Sequence, residues 1–97
     1  MFLYNIVTFR NCNPSQGFTS LANDIYNDLK NDAPPHSRFE VSIEKKNGVY
    51  YGYSIVELEG ATITAFSSDK DIYETLFKNV KQLSWQIKTK KQGRKAS

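Results

Sequence analysis

The order strand, helix, three strands, helix predicts an α+β single domain, β-α-β-β-β-α, in which a four-stranded sheet carries two helices on one face. Three observations predict it. Asp71 to Lys91 places Ile72, Tyr73, Leu76, Val80, Leu83 and Ile87 on one arc of a helix, at about 100° per residue. Asn47-Gly48 separates two segments of strand character, which is a strong hairpin signal. Phe18, Leu21, Ala22, Ile25 and Leu29 give a second amphipathic helix, so two apolar helix faces share one sheet face.

Each element has a local cause. Phe2 to Phe9 is short, β-branched and aromatic, free of Gly and Pro, and apolar on both sides, which predicts a first strand inside the sheet. Asn13, with Pro14 after it and Gln16 three residues on, has the form of a capping box and predicts the start of the first helix; Pro34 and Pro35 close it. Arg38 to Lys45 alternates, with Phe39, Val41 and Ile43 on one face and Glu40, Ser42 and Glu44 on the other. Val49 to Leu58 returns antiparallel. A two-residue turn pairs Ile43 with Gly52 and Val41 with Ser54 and exposes Tyr51 and Tyr53; a bulge or longer loop instead returns the tyrosines to the core.

Glu59-Gly60 predicts the next turn, and Ala61 to Phe66 a fourth strand whose small residues suit a position close beneath a helix. Ser67, Ser68 and Asp69 are candidate N-caps for the long helix, which is expected to reach about Lys91 before Gly93 releases a basic tail, 93–97, from a single domain, 1–92.

Composition narrows the function. The chain has 97 residues and a net charge of +3, enough for one core without disulfides or metal. Residues 1–60 carry five basic against seven acidic side chains, and residues 61–97 carry eight against three, so the positive charge is C-terminal. No apolar run is long enough to cross a bilayer, and MFLYNIVTFR lacks the features of a secretory signal, so a cytoplasmic location is expected.

A single Cys12 and a single His36 give no zinc cluster and no nucleophile–base pair, which predicts a protein that is not an enzyme and holds no cofactor, metal or small-molecule substrate. Asp24, Asp28 and Asp32 repeat at i, i+4; the plainer reading is an acidic helix face rather than a cation site. On the long helix, Lys78, Lys81, Trp85 and Lys88 fall opposite the apolar arc, and Lys90, Lys91, Arg94 and Lys95 follow. Lysines neutralise phosphates without reading bases, and an exposed indole stacks on unpaired ones. This predicts RNA binding; the competing class is a protein-interaction module on the same fold, with Trp85 as its anchor and no RNA or ribosome partner.

Ile63-Thr64-Ala65, then Asp71-Ile72-Tyr73, then Leu83, Gln86, Ile87 and Lys91 resemble, in identity and spacing, the short ribosome hibernation promoting factors, the family that includes the ribosome-associated inhibitor once called a sigma-54 modulation protein. The resemblance extends end to end in element order and length. It implies a protein that occupies the decoding region of the small ribosomal subunit, binds its rRNA, and inhibits translation or promotes hibernation, here as a monomer without the dimerising domain of longer members and without a membrane partner. It also adds Gln82, at a position usually basic in the family, to the candidate RNA-binding set of Lys78, Lys81, Trp85, Lys88, Lys90, Lys91, Arg94 and Lys95. Trp85 and Thr89 also replace usual family cations, and the first helix, usually basic, is acidic.

Overall fold

The computed structural model describes residues 6–96, the last seven of them in backbone only. The elements are β1 (Val7–Arg10), α1 (Gln16–Asp32), β2 (Arg38–Lys46), β3 (Val49–Leu58), β4 (Ala61–Asp69) and α2 (Ile72–Ala96). The strands form one sheet in the order β1-β2-β3-β4, with β1 parallel to β2 and the other pairs antiparallel. The two helices lie together on one face. The predicted architecture therefore holds, with one change at the start: β1 is an edge strand and does not lie inside the sheet. Thr8 and Arg10 are exposed, so β1 has one buried side, and the Phe2–Asn5 part of the predicted strand lies outside the described residues.

The Asn47-Gly48 turn has two residues, both with positive φ (51° and 79°), as a type I′ hairpin requires. It sets the register Ile43 to Gly52 and Val41 to Ser54. Tyr51, Tyr53 and Ile55 consequently share the open face with Glu44, Ser42 and Glu40.

The covered face is the core: Val41, Ile43, Val56, Ile63 and Ala65 from the sheet meet Phe18, Ala22, Tyr26 and Leu29 of α1 and Leu76, Leu83 and Ile87 of α2. Beneath α2 the sheet residues are small. A Cβ at Gly52 would stand 2.9 Å from Ser67 Oγ and 3.1 Å from Thr75 Cγ2, so only glycine admits the helix at this separation. Polar groups in that contact are matched. Asn79 Oδ1 accepts from Tyr26 Oη at 2.7 Å and from Ser54 Oγ, and Asn79 Nδ2 donates to the Ala65 carbonyl at 3.4 Å. Thr75 Oγ1 donates to the Tyr50 carbonyl and Ser67 Oγ to the Thr75 carbonyl. Burial pushes the Tyr26 hydroxyl well above its ordinary pKa, so it is held as a neutral donor.

Four sequence expectations change in detail. The N-cap of α1 is Ser15, whose hydroxyl accepts from Phe18 N at 3.1 Å, rather than Asn13. Neither Ser67, Ser68 nor Asp69 caps α2, because β4 runs through them; Asp71 does, accepting from Tyr73 N at 2.9 Å. Leu21 and Tyr73, expected in the core, are exposed, and their places are taken by Tyr26 and by the polar Thr75 and Asn79. Finally, α2 continues through Gly93 to Ala96 where a released tail was expected.

Candidate nucleic-acid interface

The rotation of α2 about its axis decides which side chains reach solvent, and two glutamines fix it. Gln82 grips the outer edge of β4 with both ends of its amide: Phe66 N donates to its Oε1 at 3.1 Å, and its Nε2 donates to the Phe66 carbonyl at 2.7 Å. One turn on, Gln86 Nε2 donates to the Thr64 carbonyl at 2.7 Å. With Leu76, Leu83 and Ile87 pressed on the sheet and this flank tied to β4, the remaining arc faces outward.

Trp85 stands in that arc at 69% exposure, the most exposed of the large apolar side chains described. Lys81, one turn before it, and Lys88, one turn after it, are exposed as well. Neither lysine makes an ion pair among the described residues. Thr89 Oγ1 donates to the Trp85 carbonyl at 2.8 Å, so its hydroxyl is turned back on the helix. An exposed indole between two unpaired ammonium groups joins a stacking surface to two phosphate-neutralising charges.

The other predicted residues divide. Lys78 is on the same side of α2, but its Nζ forms an ion pair with Asp69 Oδ2 at 2.8 Å and reaches the Ser68 carbonyl at 3.5 Å. Hydrogen bonding to Asp69 raises the Lys78 ammonium pKa and lowers that of the Asp69 carboxyl, so the Lys78 ammonium is already partnered within the chain. Gln82 holds the helix to the sheet. The backbone of α2 extends across Lys90, Lys91, Arg94 and Lys95, whose side chains lie outside the described residues. Outside this face, Cys12 is half-buried with Sγ 3.9 Å from the Ile43 carbonyl, and burial raises its thiol pKa, which opposes thiolate chemistry. His36 is exposed in the loop before β2. No group of three or more His, Cys, Asp or Glu suited to a metal occurs among the described residues. No helix described is long and apolar enough to cross a membrane.

Sequence reasoning missed two aromatics on the other surfaces, Phe66 and Phe77. Phe66, 56% exposed, is the cross-strand partner of Tyr53 and lies 6.1 Å from the Tyr51 ring on the open sheet face. Phe77 is exposed on the flank of α2 toward α1. The signal was present in both cases: strand alternation puts Phe66 with Thr62 and Thr64, and Phe77 lies one turn beyond Tyr73.

No protein-family model and no curated protein sequence matches the chain. Solved structures share its fold, two of them over most of both chains. One is the N-terminal domain of Protein Y from Thermus thermophilus, with a TM-score of 0.74 and 18% identity over 92% of this chain and 98% of that one. The other is a ribosomal subunit interface protein from Coxiella burnetii, with a TM-score of 0.69 and 18% identity over 88% of this chain and 96% of that one. The likeness at this identity is one of fold, and it covers most of the chain.

Proposed function

We propose that the chain is a ribosome-associated RNA-binding protein of the hibernation-factor kind, which occupies the small subunit through the outer face of α2 and so inhibits translation or promotes hibernation. It acts in the cytoplasm, as a single copy on its target, by occupancy rather than catalysis. Lys81 and Lys88 neutralise phosphates on either side of Trp85, whose indole stacks on an unpaired base; Lys90, Lys91, Arg94 and Lys95 extend the charge along the same helix, and Lys78 joins on release from Asp69. The observation that carries the proposal is the 69% exposure of Trp85 between two unpaired lysines on a helix whose rotation is fixed by Gln82 and Gln86. A fold shared with a protein described as a ribosomal subunit interface protein supports the choice of partner.

Sucrose-gradient sedimentation with purified ribosomal subunits tests it. The chain is expected to travel with the small subunit at low salt and to leave it as salt rises, by about 0.7 to 0.9 log units of affinity per phosphate contact for each decade of salt. Trp85→Ala is expected to weaken the complex by about 1 to 3 kcal/mol, the worth of one base stack, with an unchanged denaturation midpoint. Failure to comigrate at low salt would sink the proposal. Salt-insensitive association would point to a protein partner in its place.

A further inference from the structure

The outer surface of the helical layer carries two matched stripes. β1 and β4 point the same way, and each helix returns antiparallel to the strand before it, so α1 and α2 run parallel, in contact through Phe18 and Tyr73 (ring centroids 4.8 Å apart) and through Tyr26 and Asn79. On α1, Leu21, Asp24, Asp28 and Asp32 follow one another at i, i+3, i+7 and i+11, which is a single stripe, and all four are exposed. On α2, Phe77, Lys81, Ser84 and Lys88 form the corresponding stripe at i, i+4, i+7 and i+11. Each stripe begins with an exposed apolar residue, and its charged members carry one sign.

The two stripes are also in step. Counted from the Phe18–Tyr73 contact at about 1.5 Å per residue, Leu21 and Phe77 lie at nearly the same height, as do Asp24 or Asp28 and Lys81, and Asp32 and Lys88, each within roughly 3 Å. None of Asp24, Asp28, Asp32, Lys81 or Lys88 forms an ion pair among the described residues. The aspartates are moreover badly placed for α1 itself. Its first turn holds no acidic residue, whereas Asp28 and Asp32 fall toward its C-terminal end, where the helix dipole disfavours negative charge.

We infer that this face pairs with a second copy of the chain about a two-fold axis parallel to the helices, the acidic stripe of each α1 lying on the basic stripe of the other copy's α2. Such an axis exchanges the two stripes and preserves height, so Leu21 meets Phe77, Asp24 and Asp28 meet Lys81, and Asp32 meets Lys88, twice over in one isologous interface. Charge complementarity selects the partner: an all-acidic or all-basic partner would satisfy one stripe and be repelled by the other. Pairing also covers Lys81 and Lys88. Provided the RNA reading above holds, the paired form is a closed state that RNA must open, although the pairing itself is tested without RNA.

Sedimentation velocity on the full chain provides the test. At low ionic strength the weight-average mass is expected to rise with concentration toward twice that of one chain, and to fall back to one chain at high salt. The variants Asp24→Lys/Asp28→Lys/Asp32→Lys and Lys81→Glu/Lys88→Glu are each expected to stay monomeric, because both stripes then carry the same sign, and their equimolar mixture is expected to recover the dimer. Should either variant lose its helical circular dichroism, Asp28→Lys and Lys81→Glu are mixed instead. A wild-type chain that remains monomeric at low salt overturns the inference. So does a mixture that stays monomeric, or a dimer that persists in both variants, which would place the contact elsewhere, such as on the open sheet face.

Discussion

The two faces of the β3–β4 hairpin reverse the usual order of size. Under α2 the sheet presents Gly52, Ser54, Ala65 and Ser67, while the solvent side of the same strands presents Tyr51, Tyr53, Ile55 and Phe66. Large apolar groups commonly fill a core and small polar ones its outside. Here the covered face has to admit a helix close enough for Asn79 and Thr75 to bond with the sheet, so its residues are small and its polar groups are satisfied in pairs. Burial on this side is therefore secured by close approach and hydrogen bonding as much as by apolar volume, and the aromatics opposite are not held there by the core.

Asn79 is the most sensitive point of the covered face. Replacing it with Ala leaves the buried Tyr26 and Ser54 hydroxyls without their acceptor and is expected to cost about 2 to 4 kcal/mol, read as a lowered urea midpoint with an unchanged m-value. A loss below about 1 kcal/mol would show that the contact is apolar in substance. Next, Gly52→Ala inserts a methyl group against Ser67 and Thr75 and is expected to cost about 1 to 3 kcal/mol despite the better strand propensity of Ala. A neutral outcome would mean that α2 can lift from the sheet without penalty.

On the open side, Phe66→Thr removes an exposed ring while supplying a β-branched residue suited to a strand. Its expected cost is about 1 kcal/mol or less, the range of a cross-strand pair, and a larger thermal shift would make that face part of the core. The smallest effect belongs to the exposed rim pair. The Asp69 carboxyl is lowered in the folded chain, so whatever stability it adds is present above the ordinary value of 3.8 and is lost as pH falls through its folded pKa. Thermal melts of Asp69→Asn and wild type are therefore expected to differ slightly at neutral pH and to converge below pH 3.8, and a difference that grew in acid would contradict the assignment.

Much of this was visible in the residue order, for physical reasons that differ by element. The Asn47-Gly48 turn fixes register through two positive φ values, and register fixes which face every strand residue takes, so the exposure of Tyr53 followed once the turn length was settled. The exposure of Trp85 needed only helical periodicity. Asn79 and Thr75 were not visible as core because their partners, Tyr26, Ser54 and Tyr50, stand on other elements, and a polar residue in an apolar arc does not announce who will satisfy it. Lys78 looked like its neighbouring lysines for the same reason, since Asp69 reaches it only across the turn into α2. Ser15 and Asn13 are both able caps, and the choice depends on where the chain turns out of β1.

The glutamine grip on β4 has a consequence for how the chain behaves at high concentration. A last strand leaves a row of unsatisfied peptide groups, which other chains can extend by strand addition, the route to fibrils and precipitates. In β4 the Phe66 amide and carbonyl and the Thr64 carbonyl are already occupied by Gln82 and Gln86, whose side chains imitate a neighbouring strand without continuing one. At the opposite border, β1, the Ile6 and Val7 amides donate to Asn23 Oδ1 of α1 at 2.8 and 3.2 Å. The same two amides that aim Trp85 outward therefore also leave β4 fewer free peptide groups for a second chain to pair with.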